Sequence, residues 1–152
     1  MRRDNLQNGK GNEITLGLDS AHHDSGAHGL LLTYQVGVPC FAGLTRKMYR
    51  SDWSSSRGLR FWLLPNATRH TLALQFRETD GEYWEAWFPL GDQTARVIEA
   101  PWSSFFRPGW SPVGNGSIDL RSIAELSINL SQGQGEPGLG SVSLDSLTLL
   151  GE

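Results

Sequence analysis

Six side chains between residues 77 and 110 are of the types that recognise a flat, hydroxylated ligand. Tyr83, Trp87 and Trp110 offer rings, Asp80 offers acceptors, and Arg77 and Arg107 offer rigid forks of donors. A pyranose presents a band of C–H groups that packs on an aromatic face, and its equatorial hydroxyls need acceptors and donors together. The set supplies all three kinds of group, so the chemistry it points to is the holding of a sugar. Two simpler roles use some of the same residues. Trp87 and Trp62 could fill a second hydrophobic patch under a loop, and Asp80 could do no more than cap its turn.

Other groupings carry less. Glu78, Asp80, Glu82 and Glu85 are close enough in sequence to suggest a glycosidase pair, but such a pair flanks a bond across a cleft, which neighbours on one hairpin rarely do. Gly133 to Gly138 satisfies the spacing GxGxxG, yet an alternating apolar segment follows instead of the helix that would hold a pyrophosphate. No GxSxG, HExxH or P-loop pattern is present. His22, His23, Asp24 and His28 could ligate a metal on paper; their spacing fits no two-histidine helical motif, and the surrounding composition is that of a solvated loop. Cys40 is the only cysteine, so the chain makes no internal disulfide and no cysteine-based metal cluster.

The elements that must position the six residues follow from hydrophobic period. In TLALQFRETDGEYWEAWFPL, residues 71 to 90, Leu72, Leu74 and Phe76 alternate with polar or small residues, and Trp84, Ala86 and Phe88 alternate after the turn. Asp80 and Gly81 suit a tight hairpin turn. The pattern therefore predicts a hairpin whose six apolar residues face a core and whose opposite face shows Gln75, Arg77, Tyr83, Glu85 and Trp87. An outward Trp and Tyr flanked by Arg and Glu imply that a ligand or another protein lies on that face.

The rest of the chain predicts strands around Ile14–Leu18, Gly29–Val36, Phe41–Met48, Leu59–Leu63, Arg96–Ala100, Leu126–Leu130 and Val142–Leu144, separated by turns, with a helical turn possible before Leu126. The 18 glycines and six tryptophans among 152 residues fit the same picture. Roughly eight to ten strands are too many for one flat sheet, so the expected architecture is an all-β sandwich of two packed antiparallel sheets. Residues 1–12, polar and rich in Asn and Gly, predict a flexible arm, and 13–152 a single domain. A net charge of -3 without a basic run excludes a nucleic-acid partner, and no apolar run is long enough to span a membrane. The basic residues of MRRDNLQNGKG lead into no apolar stretch, so these residues encode no signal peptide; the chain is either intracellular or one module of a longer secreted protein. The sequons at Asn66, Asn115 and Asn129 matter only in the second case.

RSDWSSSRGLRFWL, LQFRETDGEYWEAWFPL, VIEAPWSSF, GSIDLRSIAELSINL and LGSVSLDSLTLLG, in that order and spacing, resemble the family 11 carbohydrate-binding modules and relatives such as the complex I intermediate-associated proteins. The resemblance runs from about Gly29 to the C-terminus. It implies a galactose-binding-like β-jelly roll with one concave sheet, no catalysis of its own, a β-glucan or related polysaccharide as ligand, and a covalently linked glycoside hydrolase outside the cell. It carries the family's ligand contacts onto Asp80, Tyr83, Arg107 and Trp110. Other aromatic contacts of the family fall near Cys40 or Phe41 and near Leu130, where this chain has no matching platform residue. The resemblance also implies structural calcium, with Asp145 as a ligand and Glu13 and Asp19 as candidate partners. Against this leading interpretation stand an accessory β-sandwich whose aromatic face docks a protein, and a cryptic hydrolase.

Overall fold

The computed structural model describes residues 2–5, 12–37 and 41–151. Ten strands run through them: β1 (Arg2–Asn5), β2 (Glu13–Asp19), β3 (Gly29–Val36), β4 (Phe41–Ser51), β5 (Gly58–Leu64), β6 (Thr71–Glu78), β7 (Tyr83–Pro89), β8 (Arg96–Pro101), β9 (Ile123–Ser131) and β10 (Gly138–Leu150). Each sheet has five strands, in the orders β1-β4-β9-β6-β7 and β2-β3-β10-β5-β8, and all pairings are antiparallel. The expected all-β sandwich of the jelly-roll type is what forms. Among the described residues the one helical element is a 3-10 turn at Trp102–Ser104.

The core lies where the alternation puts it. Leu72, Leu74, Phe76, Trp84 and Ala86 are buried and Phe88 packs against them, with Leu74 opposite Ala86 and Phe76 opposite Trp84 in the ladder. The other sheet contributes Leu32, Tyr34, Leu59, Phe61, Leu63, Val142 and Leu144. Phe61 meets Phe88 edge-on at 5.1 Å, joining the two layers. Each fully buried Leu, Val or Phe among them stabilises the sandwich by about 1.5–3 kcal/mol through removal from water.

Four segments depart from the sequence expectation. Residues 1–12 are not wholly a free arm: Arg2–Asn5 pair with Thr45–Ala42 as β1, because an edge strand is held by main-chain hydrogen bonds and needs no apolar pattern. Residue 1 and residues 6–11, like Cys40, lie outside the described residues. Of Ile14, Leu16 and Leu18 only the first is buried, since β2 is the edge of its sheet and leaves the other two exposed. Trp53, expected in a turn, is core: it stacks on Trp102 at 5.7 Å and meets Phe76 edge-on at 5.8 Å. The segment before β9 is a plain turn, whose Leu120 carbonyl accepts the Trp53 N–H at 2.7 Å.

The candidate ligand-binding face

The outer face of the first sheet is a ladder of polar rows. One row reads Lys47, Glu125, Arg77, Tyr83; the next Thr45, Ser127, Gln75, Glu85; the next Gly43, Asn129, Ala73, Trp87. The middle row is buried although no apolar side chain belongs to it, and Asn129 beside it is buried as well. Its groups satisfy one another: Thr45 and Ser127 share a hydroxyl–hydroxyl bond of 2.8 Å, and the Gln75 amide donates to Glu85 at 3.0 Å. A recessed polar floor results, with its hydrogen bonds fixed before any ligand arrives.

Aromatic rings rise along the β7 edge of this floor. Trp87 is 60% exposed, and its indole N–H donates to Glu85 Oε1 at 3.1 Å, so the buried carboxylate sets the ring's orientation. Phe106 stands beside it, ring edge to ring face at 5.0 Å. That contact exists because Phe106 extends the sheet by a single bridge, exchanging backbone hydrogen bonds of 2.9 and 3.0 Å with Glu85. The chain then turns at Pro108–Ser111, lifting Trp110, which is also 60% exposed, against Tyr83 at 5.0 Å. The Tyr83 N–H donates to Ser111 Oγ at 2.8 Å, which fastens the loop to the start of β7.

Both arginines of the predicted set are held by acids. Arg77 makes a two-pronged pair with Glu125, at 3.0 and 3.1 Å, and its guanidinium lies 5.9 Å from the Tyr83 ring centre. Arg107 turns toward Glu82 at 3.5 Å, beneath the loop. Asp80 sits in the hairpin turn just past the Tyr83 row, where its carboxylate accepts the Glu82 N–H at 3.0 Å, as a turn cap does. Within the turn it is Gly81, with φ of 100°, that takes the left-handed conformation. The structure therefore gathers Arg77, Tyr83, Trp87 and Trp110 on one face and places Asp80 and Arg107 at its end, around Glu82.

Sequence reasoning missed Phe106 and Tyr49. Tyr49 is highly exposed and lines a recess with Lys47, Arg50, Arg77, Thr79 and Glu125 on the same face. It stands there because β4 bulges between Lys47 and Ser51, with Tyr49 and Arg50 at φ of 52° and 63°. Such backbone costs on the order of 1–3 kcal/mol and persists at binding sites more than elsewhere. No motif announces it. The floor, in contrast, was open to detection: Glu125, Ser127, Asn129 and Ser131 alternate with Leu126, Ile128 and Leu130.

A carbohydrate binding domain model, that of family 11, matches residues 6–152. The chain belongs to this family. No curated protein matches it. In fold it is similar to a family 11 module of Clostridium thermocellum solved in complex with a β-1,3-1,4-mixed-linked tetrasaccharide, at 21% identity and a TM-score of 0.77, over 94% of this chain and 85% of that one. It is similar also to the family 11 module of the cellulosomal cellulase Lic26A-Cel5E of that organism, at 20% identity and a TM-score of 0.76, over 95% and 85% of the two chains. An exo-β-agarase contains the same fold at 14% identity and a TM-score of 0.66, matched by 98% of this chain and 24% of the agarase.

For this family 11 domain, the ligand aromatic that the resemblance places near Leu130 falls on a buried core residue, so that position adds no ring to the face. Asp145, the expected calcium ligand, is engaged by main-chain donors. Backbone N–H groups of Asp24, Ser25 and Ser146 donate to its carboxylate at 2.8, 2.9 and 2.7 Å, and these bonds, Ser25 first, hold its pKa below the ordinary aspartate value. Three N–H donors thus take most of the carboxylate's acceptor sites and favour its ionised form. Asp19 is likewise engaged by the Ser143 hydroxyl and the Ala21 and His22 amides, while Glu13 is exposed. His22, His23 and His28 form no group that could hold a metal; among the described residues the acids that do are Glu78, Asp80 and Glu82.

Proposed function

We propose that this family 11 domain binds a β-linked polysaccharide, β-glucan foremost, along the outer face of the β1-β4-β9-β6-β7 sheet. One observation carries the proposal: the exposed rings of Trp87 and Trp110 stand over a recessed, internally bonded polar floor. Rings of this kind stack on sugar C–H faces, and a floor already bonded loses little freedom when hydroxyls arrive. The mixed-linkage tetrasaccharide bound by the C. thermocellum module supports an extended glucan as ligand. The rings run from Trp87 and Phe106 past Tyr83 and Trp110, with Tyr49 beyond Arg77, which suits a chain lying along the face.

The domain acts by attachment. Glu78, Asp80 and Glu82 gather within 4.8 Å at the hairpin turn, while Glu85 is tied to Gln75 and Trp87 on the floor, so these carboxylates do not face each other across the groove as a hydrolytic pair does. Holding a linked glycoside hydrolase on its polymer outside the cell is the role that such a face serves. The agarase, of which this fold makes up about a quarter, lends support to a place within a longer enzyme. Affinity electrophoresis against mixed-linkage glucan, xylan and mannan tests the proposal: retardation by the first is expected, and unretarded migration in every gel would set it aside in favour of protein docking.

A further inference from the structure

Building on the sugar reading of this face, we propose that the recess at the bulge of β4 is a subsite for an oxyanion carried by the polysaccharide, either the carboxylate of a uronic acid or a sulfate ester. The recess has a volume of about 330 Å³, and its walls hold three cations, Lys47, Arg50 and Arg77, against one acid, Glu125. Glu125 is committed to Arg77 by the two-pronged pair. Among the described residues neither Lys47 nor Arg50 has an ion-pair partner. Two positive charges are thus left over on a chain whose net charge is -3, so the attraction for an anion is local to this recess and not a property of the whole surface.

The backbone sets these groups in place. Between Lys47, opposite Glu125, and Ser51, opposite Ile123, β4 runs through Met48, Tyr49 and Arg50 while β9 has Ala124 alone. Met48 packs against the core, and the Ser51 hydroxyl donates to its carbonyl at 2.5 Å. The surplus length is therefore thrown outward as Tyr49 and Arg50, both exposed and both in the left-handed region. A merely solvated charge requires no such backbone, and glycine would adopt it at lower cost. Tyr49, 86% exposed, offers a ring for a pyranose, and a sugar stacked on it brings its substituent to the Arg50 fork and the Lys47 ammonium of the same recess. From Tyr83 the ladder row crosses Arg77 and Glu125 to Lys47, which is three strand spacings or about 14 Å, so a chain stacked at Tyr83 and Trp110 continues over the recess. A neutral glucan lies there without using the two cations.

Calorimetry with three cello-oligosaccharides of one length tests the subsite: the neutral chain, the chain oxidised to carboxylates at its primary alcohols, and the chain bearing sulfate esters there. At about 20 mM NaCl at least one acidic chain should bind the wild type roughly five- to tenfold more tightly than the neutral one, the gain of two exposed charge pairs, and the advantage should shrink toward unity at about 500 mM NaCl. Which acid is preferred separates a uronate from a sulfated sugar. Arg50→Gln and Lys47→Gln should each lower the ratio of acidic to neutral affinity at low salt by about threefold, with folding checked by circular dichroism. Arg60→Gln, on β5 of the other sheet, should leave the ratio unchanged. A neutral chain that binds with neither acid preferred, or a preference undiminished in both Arg50→Gln and Lys47→Gln, would overturn the subsite and leave the sugar reading standing. Binding of the acidic chains alone, lost in Arg50→Gln, would uphold the subsite and withdraw the neutral glucan as ligand. No heat with any of the three would overturn the sugar reading and the subsite together.

Discussion

Tyr83 and Trp110 meet with ring centres 5.0 Å apart and planes inclined by 56°, one ring from the first residue of β7 and the other from the long loop after β8. The hairpin supplies the fixed ring and the loop brings the exposed one to it, held by the bond from Tyr83 N–H to Ser111 Oγ. If sugar covers this pair, Trp110→Ala and Tyr83→Ala should each weaken binding by roughly 1 to 3 kcal/mol, as buried aromatic anchors do. Calorimetry with mixed-linkage oligosaccharides measures both, and circular dichroism checks that each variant folds. Losses below the error of the titration would remove the pair from the site.

Tyr49 extends the face beyond Arg77. Tyr49→Ala should therefore leave short oligosaccharides unaffected and weaken longer ones by about 1 kcal/mol, the increment of one partly covered ring. A series from two to six sugars, measured on wild type and variant, reads the difference. An equal loss at every length would mean that Tyr49 acts through the backbone and not by contact.

Phe76 ties the hairpin to the loop from below, since its ring touches Trp53, Trp102 and Phe105 at centroid distances of 5.8, 5.6 and 5.4 Å. Phe76→Ala should destabilise the domain by about 3–5 kcal/mol in denaturant unfolding, the usual loss for a fully buried ring. A loss under about 1 kcal/mol would show that this aromatic cluster collapses into the space.

An acid-labile part of the stability is set at the other sheet. The Ser143 hydroxyl foremost, with the Ala21 and His22 amides, holds Asp19 far below the ordinary carboxylate range. A depressed folded-state pKa contributes stability that is complete above the unfolded value, near 3.8, and is lost as pH falls toward the folded one. The Asp19 contribution should be constant from neutral pH down to about pH 4 and decline below it. Asp19→Asn, followed by thermal unfolding across that range, should be less stable at pH 7 and should flatten the decline. An unaltered acid limb would assign the decline to other groups.

How much of this was legible in the sequence differs between strands and loops. The hairpin register was readable because Leu72, Leu74, Phe76, Trp84 and Ala86 alternate in phase, and a slip of one residue would have turned all of them to water. The same phase placed Tyr83 and Trp87 outward. The loops carry no such period: the core role of Trp53 and Trp102, the bridge that seats Phe106, and the turn of Arg107 toward Glu82 all depend on contacts between segments far apart in sequence. Asp145 was marked by the resemblance alone; the three amides that donate to it, from its own neighbour and from the loop before β3, carry no sequence period. The acids that do cluster were adjacent on the hairpin, but only the folded loop shows Glu78 buried with one oxygen unpartnered.

The central claim is that the Trp87–Trp110 face holds a neutral sugar chain, and calorimetry of the wild-type domain tests it most directly. The titrants are mixed-linkage glucan and cello-, manno- and xylo-oligosaccharides, at low and at high salt. One binding site is expected, with modest affinity that rises with length to about four or five rings and changes little with salt, because a neutral ligand gains nothing from unscreened charge. No heat with any of these sugars, together with a protein partner that shields Trp87 or Trp110 from fluorescence quenching, would contradict the account.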